Sequence, residues 1–244
     1  IREAMLAGRI DVGFVGIPPF LIGFDRGMDW KIFTGLSQAP LGLTSKNEQI
    51  ESLSDFRSEH RIALPQPGSI QHILLSMACE RELGEATALD DLLVTMNHPD
   101  GMQSLLSPRG VDAHFTSPPY LMEELEKPGI RQILSGTEAF GGDFTFIVGV
   151  VLEEKEIGDE ELLPALRRAI ERSSTLLEDP SEDTIDYLAR EYNIQPAELA
   201  GYLSADGLIY GDEILGLGEF IDFMHRHRYL QGRPSEADVL TGPR

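Results

Sequence analysis

Cysteine is nearly absent: Cys79 is the one cysteine in 244 residues. A disulfide within the chain and a thiolate metal cluster are both excluded. Set in the apolar run HILLSMACERELG, Cys79 reads as a small buried hydrophobe. Positive charge is also scarce. Twenty Lys and Arg stand against 41 Asp and Glu, a net charge of −21. Nucleic acid and anionic membranes bind through positive potential, so neither is expected as a partner. No apolar run approaches the roughly 18–20 residues that span a bilayer. The longest, near 12–22 and 144–152, are broken by Gly and Pro or are of strand length. Nucleophile elbow, phosphate loop and paired metal-ligand motif are all missing. His225 and His227 in MHRHRYL stand two apart and cannot share a helix face, so neither a metal nor a cofactor is expected.

What is present is an ordinary hydrophobic fraction of 41%, enough for one large core or two small ones. The pattern alternates. Residues 1–7 read as the end of a helix, closed by Gly8, and 10–14 as a strand. Further strands are expected at 30–37, 41–44, 61–65, 92–96, 111–115, 130–134 and 143–152. Helices fall at 68–84, capped by Ser69 and Gly84, at 99–106 and at 118–126. Beyond 152 the texture turns helical, at 160–177, 181–192, 196–203 and 218–230, with no strand needed. Strand–helix alternation implies right-handed βαβ crossovers, and so an α/β fold with mainly parallel sheets and a helical C-terminal part. Two lobes are expected: residues 1–43 with 136–244, and residues 44–135. Because the chain opens on a helix, a strand before Ile1 is also expected.

One phrase occurs twice. GRIDVGFVGIPPF (8–20) aligns with GVDAHFTSPPY (110–120), matching Asp11 to Asp112, Phe14 to Phe115 and Pro18-Pro19-Phe20 to Pro118-Pro119-Tyr120. Each copy is a strand, a loop and a proline-led helix start. Ligands of open α/β sheets bind at the carboxyl ends of strands. Two lobes with matching loops would then share one cleft, as in a hinged clamp.

The order of AGRIDVGFVG, SLSDFRSEHRIALPQPGSIQHILL, MNHPDGMQSLL and GVDAHFTSPPY resembles the substrate-binding proteins of nitrate/sulfonate/taurine-type ABC importers. The resemblance covers about residues 3–152, and FMHRHRYLQGRPSEADVL is similar to that family's closing segment. It implies the type II periplasmic-binding-protein fold and a hinge-closing receptor outside the cytoplasm that performs no catalysis. It also implies a first strand and ligand loop before Ile1.

The strongest candidate site is PQPGSIQH, where Gly68 and Ser69 open a helix whose free amides and dipole suit an anion. His72 follows, either to donate to a ligand or to pack on the sheet. His98, just past a strand end, faces the same choice between ligand and surface, with Asn97 as a cap. Phe115, Thr116 and Ser117 form the loop of the second copy, with Tyr120 behind; Phe14 and Gly16 are their counterparts in the first. Aromatic rings with a few hydroxyls suit a small organic ligand. Asp11 and Asp112 lie early in their strands and are read as fixing backbone turns. Leu43 and Thr44, with Gly141 and Gly142, are the expected hinge. These loops carry no Arg or Lys, so a monoanion or zwitterion fits better than a phosphate.

Three functions follow. The first is a monomeric solute receptor, periplasmic or extracellular and lipid-anchored if its leader is of that type, that hands a small organic anion or zwitterion to an ABC permease. The second is an enzyme of menaquinone or thiamine biosynthesis on the same fold. The third is the ligand-sensing domain of a regulator.

Overall fold

A computed structural model describes residues 1–154 and 161–242. In chain order its elements begin with α1 (Arg2–Leu6), β1 (Val12–Gly16), α2 (Ile17–Asp25), β2 (Trp30–Gln38) and β3 (Gly42–Ser45). There follow β4 (Ile62–Leu64), α3 (Ile70–Leu83), β5 (Leu93–Thr95), α4 (His98–Leu106), β6 (Ala113–Thr116), α5 (Tyr120–Leu125), β7 (Arg131–Ser135) and α6 (Gly136–Phe140). The last are β8 (Ile147–Leu152), α7 (Leu162–Glu178), α8 (Glu182–Tyr192), α9 (Pro196–Leu203), β9 (Ile209–Tyr210), α10 (Leu217–Arg226) and α11 (Glu236–Val239). Residue 160, where the sequence starts the long helix, lies outside the described residues. Among the described residues no helix is long and apolar enough to cross a membrane.

The chain forms two compact units. The first comprises Ile1–Ala39, Phe144–His225 and Leu230–Arg244; the second comprises Pro40–Asp143 and Arg226–Tyr229. In the first unit the sheet order is β1-β8-β2-β9 and every ladder is antiparallel. β8 lies between β1 and β2 and runs against both, with Phe14 opposite Gly149 and Ile32 opposite Val150. Trp30 and Phe20 are buried side by side, ring centroids 5.2 Å apart. Burying each such ring contributes roughly 1.5–3 kcal/mol. Phe33, Val151 and Leu163 close the core under α7.

The second unit's sheet runs β5-β4-β6-β3-β7. β4 is parallel to β5 and β6, whereas β3 is antiparallel to β6 and β7. Ala63, Leu105 and Val111 pack beside it. α3 starts on the side-chain cap of Ser69 and stops at left-handed Gly84, φ 82°.

The expectation of mainly parallel sheets is corrected. A parallel pair needs a helical crossover, and the run β4–α3–β5–α4–β6 supplies two of them. β3 and β7, which precede and follow that crossover run in sequence, instead pair with each other at one edge of the sheet, beyond β6. In the first unit α2 does join two parallel strands, but β8 returns between them and no parallel ladder forms. The helical C-terminal part also contains one strand, β9, which extends β2 through Ser37 and Gln38. α5 begins at Tyr120, so the two prolines precede that helix and do not lie within it. α10 ends at Arg226, short of residue 230, because Arg228 adopts the left-handed φ of 62°.

Candidate functional site

The three parallel strands of the second unit end in three loops, and each loop carries predicted site residues. After β4 comes Gly68, whose φ of 80° brings its N–H onto Nδ1 of His72, 3.0 Å away. Because that nitrogen accepts, Nε2 bears the hydrogen and donates to Asp90 Oδ1 at 3.3 Å. The ring also stands edge-on to Tyr229 at 5.6 Å. His72 is thus 4% exposed with both nitrogens engaged inside its own unit. Ser69 Oγ accepts from the His72 amide at 3.3 Å. The amides of Ile70 and Gln71, in the first turn of α3, have no acceptor within the helix.

After β5 comes His98, the first residue of α4, held by Asn97, whose side chain caps the Asp100 amide at 3.0 Å. β6 ends at Thr116 and Ser117 follows it, both buried. These loops meet at the His98 ring. Nδ1 lies 3.1 Å from Thr116 Oγ1 and 3.4 Å from His114 Nε2. Nε2 lies 3.4 Å from Ser117 Oγ and 3.4 Å from Gln71 Nε2. The ring stacks on Tyr120, centroids 5.8 Å apart and planes 25° apart. Burial, and then the neighbouring His114, push the His98 pKa down to about 4, so the ring is neutral at physiological pH.

A buried chain stands behind it. His114 Nδ1 is 2.6 Å from Glu124 Oε1, and both side chains are fully buried. The Thr44 hydroxyl donates to Glu124 Oε2 at 2.6 Å. A β-carbon at Gly101 would lie 2.5 Å from His114 Nε2, so the bare backbone of α4 makes room for this ring.

The structure therefore gathers His98, Thr116, Ser117 and Tyr120 into one cluster, with Gly68, Ser69 and His72 at the neighbouring strand end. Phe115 is apart: it is 0% exposed, facing the core from β6. Phe14 and Gly16 belong to the first unit; Phe14 is 40% exposed and Gly16 precedes α2. Leu43 and Thr44 are buried inside β3, paired on both sides. Gly141 and Gly142 follow α6 with φ of 95° and 159°, next to the unit boundary at Asp143. Asp112 takes the Arg61 amide at 2.9 Å and so fixes backbone, as read from its early place in the strand. His227 is tied to Glu80 at 2.8 Å, and among the described residues no group of three or more His, Cys, Asp or Glu could hold a metal ion.

Three residues were missed from sequence: Gln71, His114 and Glu124. Glu124 carried a signal, since it shares a helical face with buried Leu121, three residues back. His114 sits in the strand AHFT, all of it buried. A cavity of about 440 Å3 in the first unit, beside Asp186, Arg190 and Asn193, is lined by none of the predicted residues.

No protein-family model and no curated protein matches this chain. Solved structures do. The periplasmic aliphatic sulphonate binding protein SsuA from Escherichia coli matches with a TM-score of 0.77 and 20% identity, over 99% of this chain and 79% of that one. The alkanesulfonate-binding protein SsuA from Xanthomonas axonopodis pv. citri, bound to MOPS, gives 0.77 and 18%, over 98% and 83%. The CA3427 gene product of Candida albicans, described as having the generic periplasmic binding protein structural fold, gives 0.71 and 11%, over 98% and 81%. The fold is accordingly the generic periplasmic-binding-protein fold.

Proposed function

We propose that this chain is the solute-binding receptor of an ABC importer. It takes up a small organic anion or zwitterion, performs no chemistry on it, and presents it to a membrane permease from the periplasmic or extracellular side, as a monomer. The observation that carries this reading is the meeting of His98, Thr116, Ser117, Tyr120 and Gln71 where parallel strands end, on a fold whose neighbours include sulfonate-binding proteins. Hydroxyls, an amide, a neutral imidazole and an aromatic ring orient a small organic molecule without charging the site. Ser69 and the first-turn amides of α3 are the proposed seat of the ligand's anionic group. Phe14 and Gly16 are proposed contacts as well, and Gly141 and Gly142 the proposed hinge.

Thermal-shift and calorimetric titration with MOPS, ethanesulfonate, taurine and nitrate tests this. A ligand at one hundred times its dissociation constant adds roughly 2.7 kcal/mol of stability. One such ligand, weakened by Ser69→Ala, supports the receptor; no shift with any small organic anion overturns it. One feature favours the enzyme alternative: Ser117, His98, His114 and Glu124 run in series as hydroxyl, imidazole, imidazole and carboxyl. Turnover of a bound metabolite, lost in His98→Ala, would replace the receptor reading.

A further inference from the structure

We propose that Glu124, acting through His114, fixes His98 as a hydrogen-bond acceptor at Nε2, so that this end of the site takes the donor group of a ligand, an ammonium, amide N–H or hydroxyl, and not its anionic group. The proposal rests on the receptor reading above and adds the orientation in which the ligand lies.

The proton positions follow from counting donors along the chain. Glu124 Oε2 accepts from the Thr44 hydroxyl at 2.6 Å, and with Glu124 as a carboxylate its Oε1, 2.6 Å from His114 Nδ1, can only accept. His114 Nδ1 must therefore carry a hydrogen. Its Nε2 faces His98 Nδ1 at 3.4 Å, and two ring nitrogens in contact need one hydrogen between them. The far side of His98 decides which ring supplies it. Nε2 faces the amide nitrogen of Gln71, which can only donate, and the Ser117 hydroxyl, which can donate. So Nε2 accepts, and Nδ1 carries the hydrogen, shared between His114 Nε2 and Thr116 Oγ1. Thr116 in turn points its hydroxyl at the Ser117 carbonyl, 3.5 Å away. Each contact then has one hydrogen, and a buried chain satisfied at every link is strongly specified. The protein contacts at Nε2 are long, at 3.4 Å, and His98 is partly exposed, so a stronger donor can take their place. A ligand sulfonate or carboxylate would instead set lone pairs against that nitrogen. Its place is the amide-rich start of α3.

Glu124 and His114 are positioning residues; His98 is the contact. Nitrogen-15 histidine NMR of the ligand-free chain reads the tautomer directly. The expected spectrum has His98 protonated at Nδ1 and bare at Nε2 at neutral pH; protonation at Nε2 overturns the proposal. In Glu124→Gln the His98 tautomer distribution should change while the circular dichroism does not, and an unaltered His98 signal removes the coupling. If that variant does not fold, Thr44→Val perturbs the same link and is read the same way. Ligand orientation is tested with ethanesulfonate and taurine, which differ by one ammonium group. Taurine should bind at least tenfold tighter, and His98→Phe, which keeps the ring on Tyr120, should erase the difference. Equal affinities overturn the orientation and leave the receptor intact. If neither binds, the sulfonate receptor reading falls while the NMR tautomer still decides the role of Glu124.

Discussion

The phrase that the chain writes twice folds twice, with opposite consequences. In the first copy β1 leads into α2 through Gly16, and its phenylalanine, Phe14, stands 40% exposed. In the second copy β6 ends at Thr116, and the matching Phe115 is wholly buried. The first copy offers Val15 and Gly16 where the second offers Thr116 and Ser117, hydroxyls that bind His98. Neighbourhood accounts for the difference. β6 lies between β4 and β3 in the middle of a five-stranded sheet, so its side chains are covered on both faces. β1 is the edge of a four-stranded sheet, and one face of it is open at Phe14. A shared sequence phrase thus specifies a local strand–loop–helix form, and the sheet around it assigns each side chain its role.

That contrast can be broken in graded ways. Phe115→Ala should cost about 3–5 kcal/mol of unfolding free energy in urea titration, the range for a buried aromatic ring. Glu124→Ala should cost about 3 kcal/mol in the same assay, because it strands His114 and Thr44 in the interior; no residue aligned with the first copy makes such a pair. Gly101→Ala should cost about 1–3 kcal/mol, since its methyl group meets His114. Acid should weaken the second unit through His98. Its folded pKa is near 4 and its ordinary value 6.5, so between these the unfolded chain holds a proton that the folded chain does not. Stability from this group is complete above pH 6.5 and is lost as pH falls toward 4. His98→Phe should flatten that dependence in denaturation curves taken from pH 7.5 to 4.5. The smallest effect is Phe14→Ala, within about 0.5 kcal/mol. If that variant instead loses several kcal/mol, the two copies are structurally equivalent after all.

Much of the fold was legible in local signals. Ser69 and Gly84 bracket α3, Ser181 caps α8, and Pro196 opens α9, each as a short-range rule requires. Strand direction was not legible, because it is set by where β8 and β3 enter their sheets, and neither position is written near those strands. The site divides the same way. His98, Thr116 and Ser117 stood out as polar residues just past strand ends. Gln71 did not, because a polar residue in a helix's first turn looks like ordinary solvated surface. His114 and Glu124 bury each other's polarity across a strand and a helix, and neither residue alone predicts the other. Phe115 looked like a ligand wall because its aligned neighbours were loop residues, whereas its strand is buried along its whole length.

The missing β-carbon at Gly101 ties two positions into one inherited decision. With its backbone turned so close to the His114 ring, residue 101 can gain a side chain only if residue 114 gives up volume. Among descendants of a common ancestor, alanine at 101 should travel with something smaller than histidine at 114, and Glu124, having lost its partner, should then drift to an apolar residue. Three positions on a helix, a strand and a second helix would change as a set, a signature readable from sequences alone.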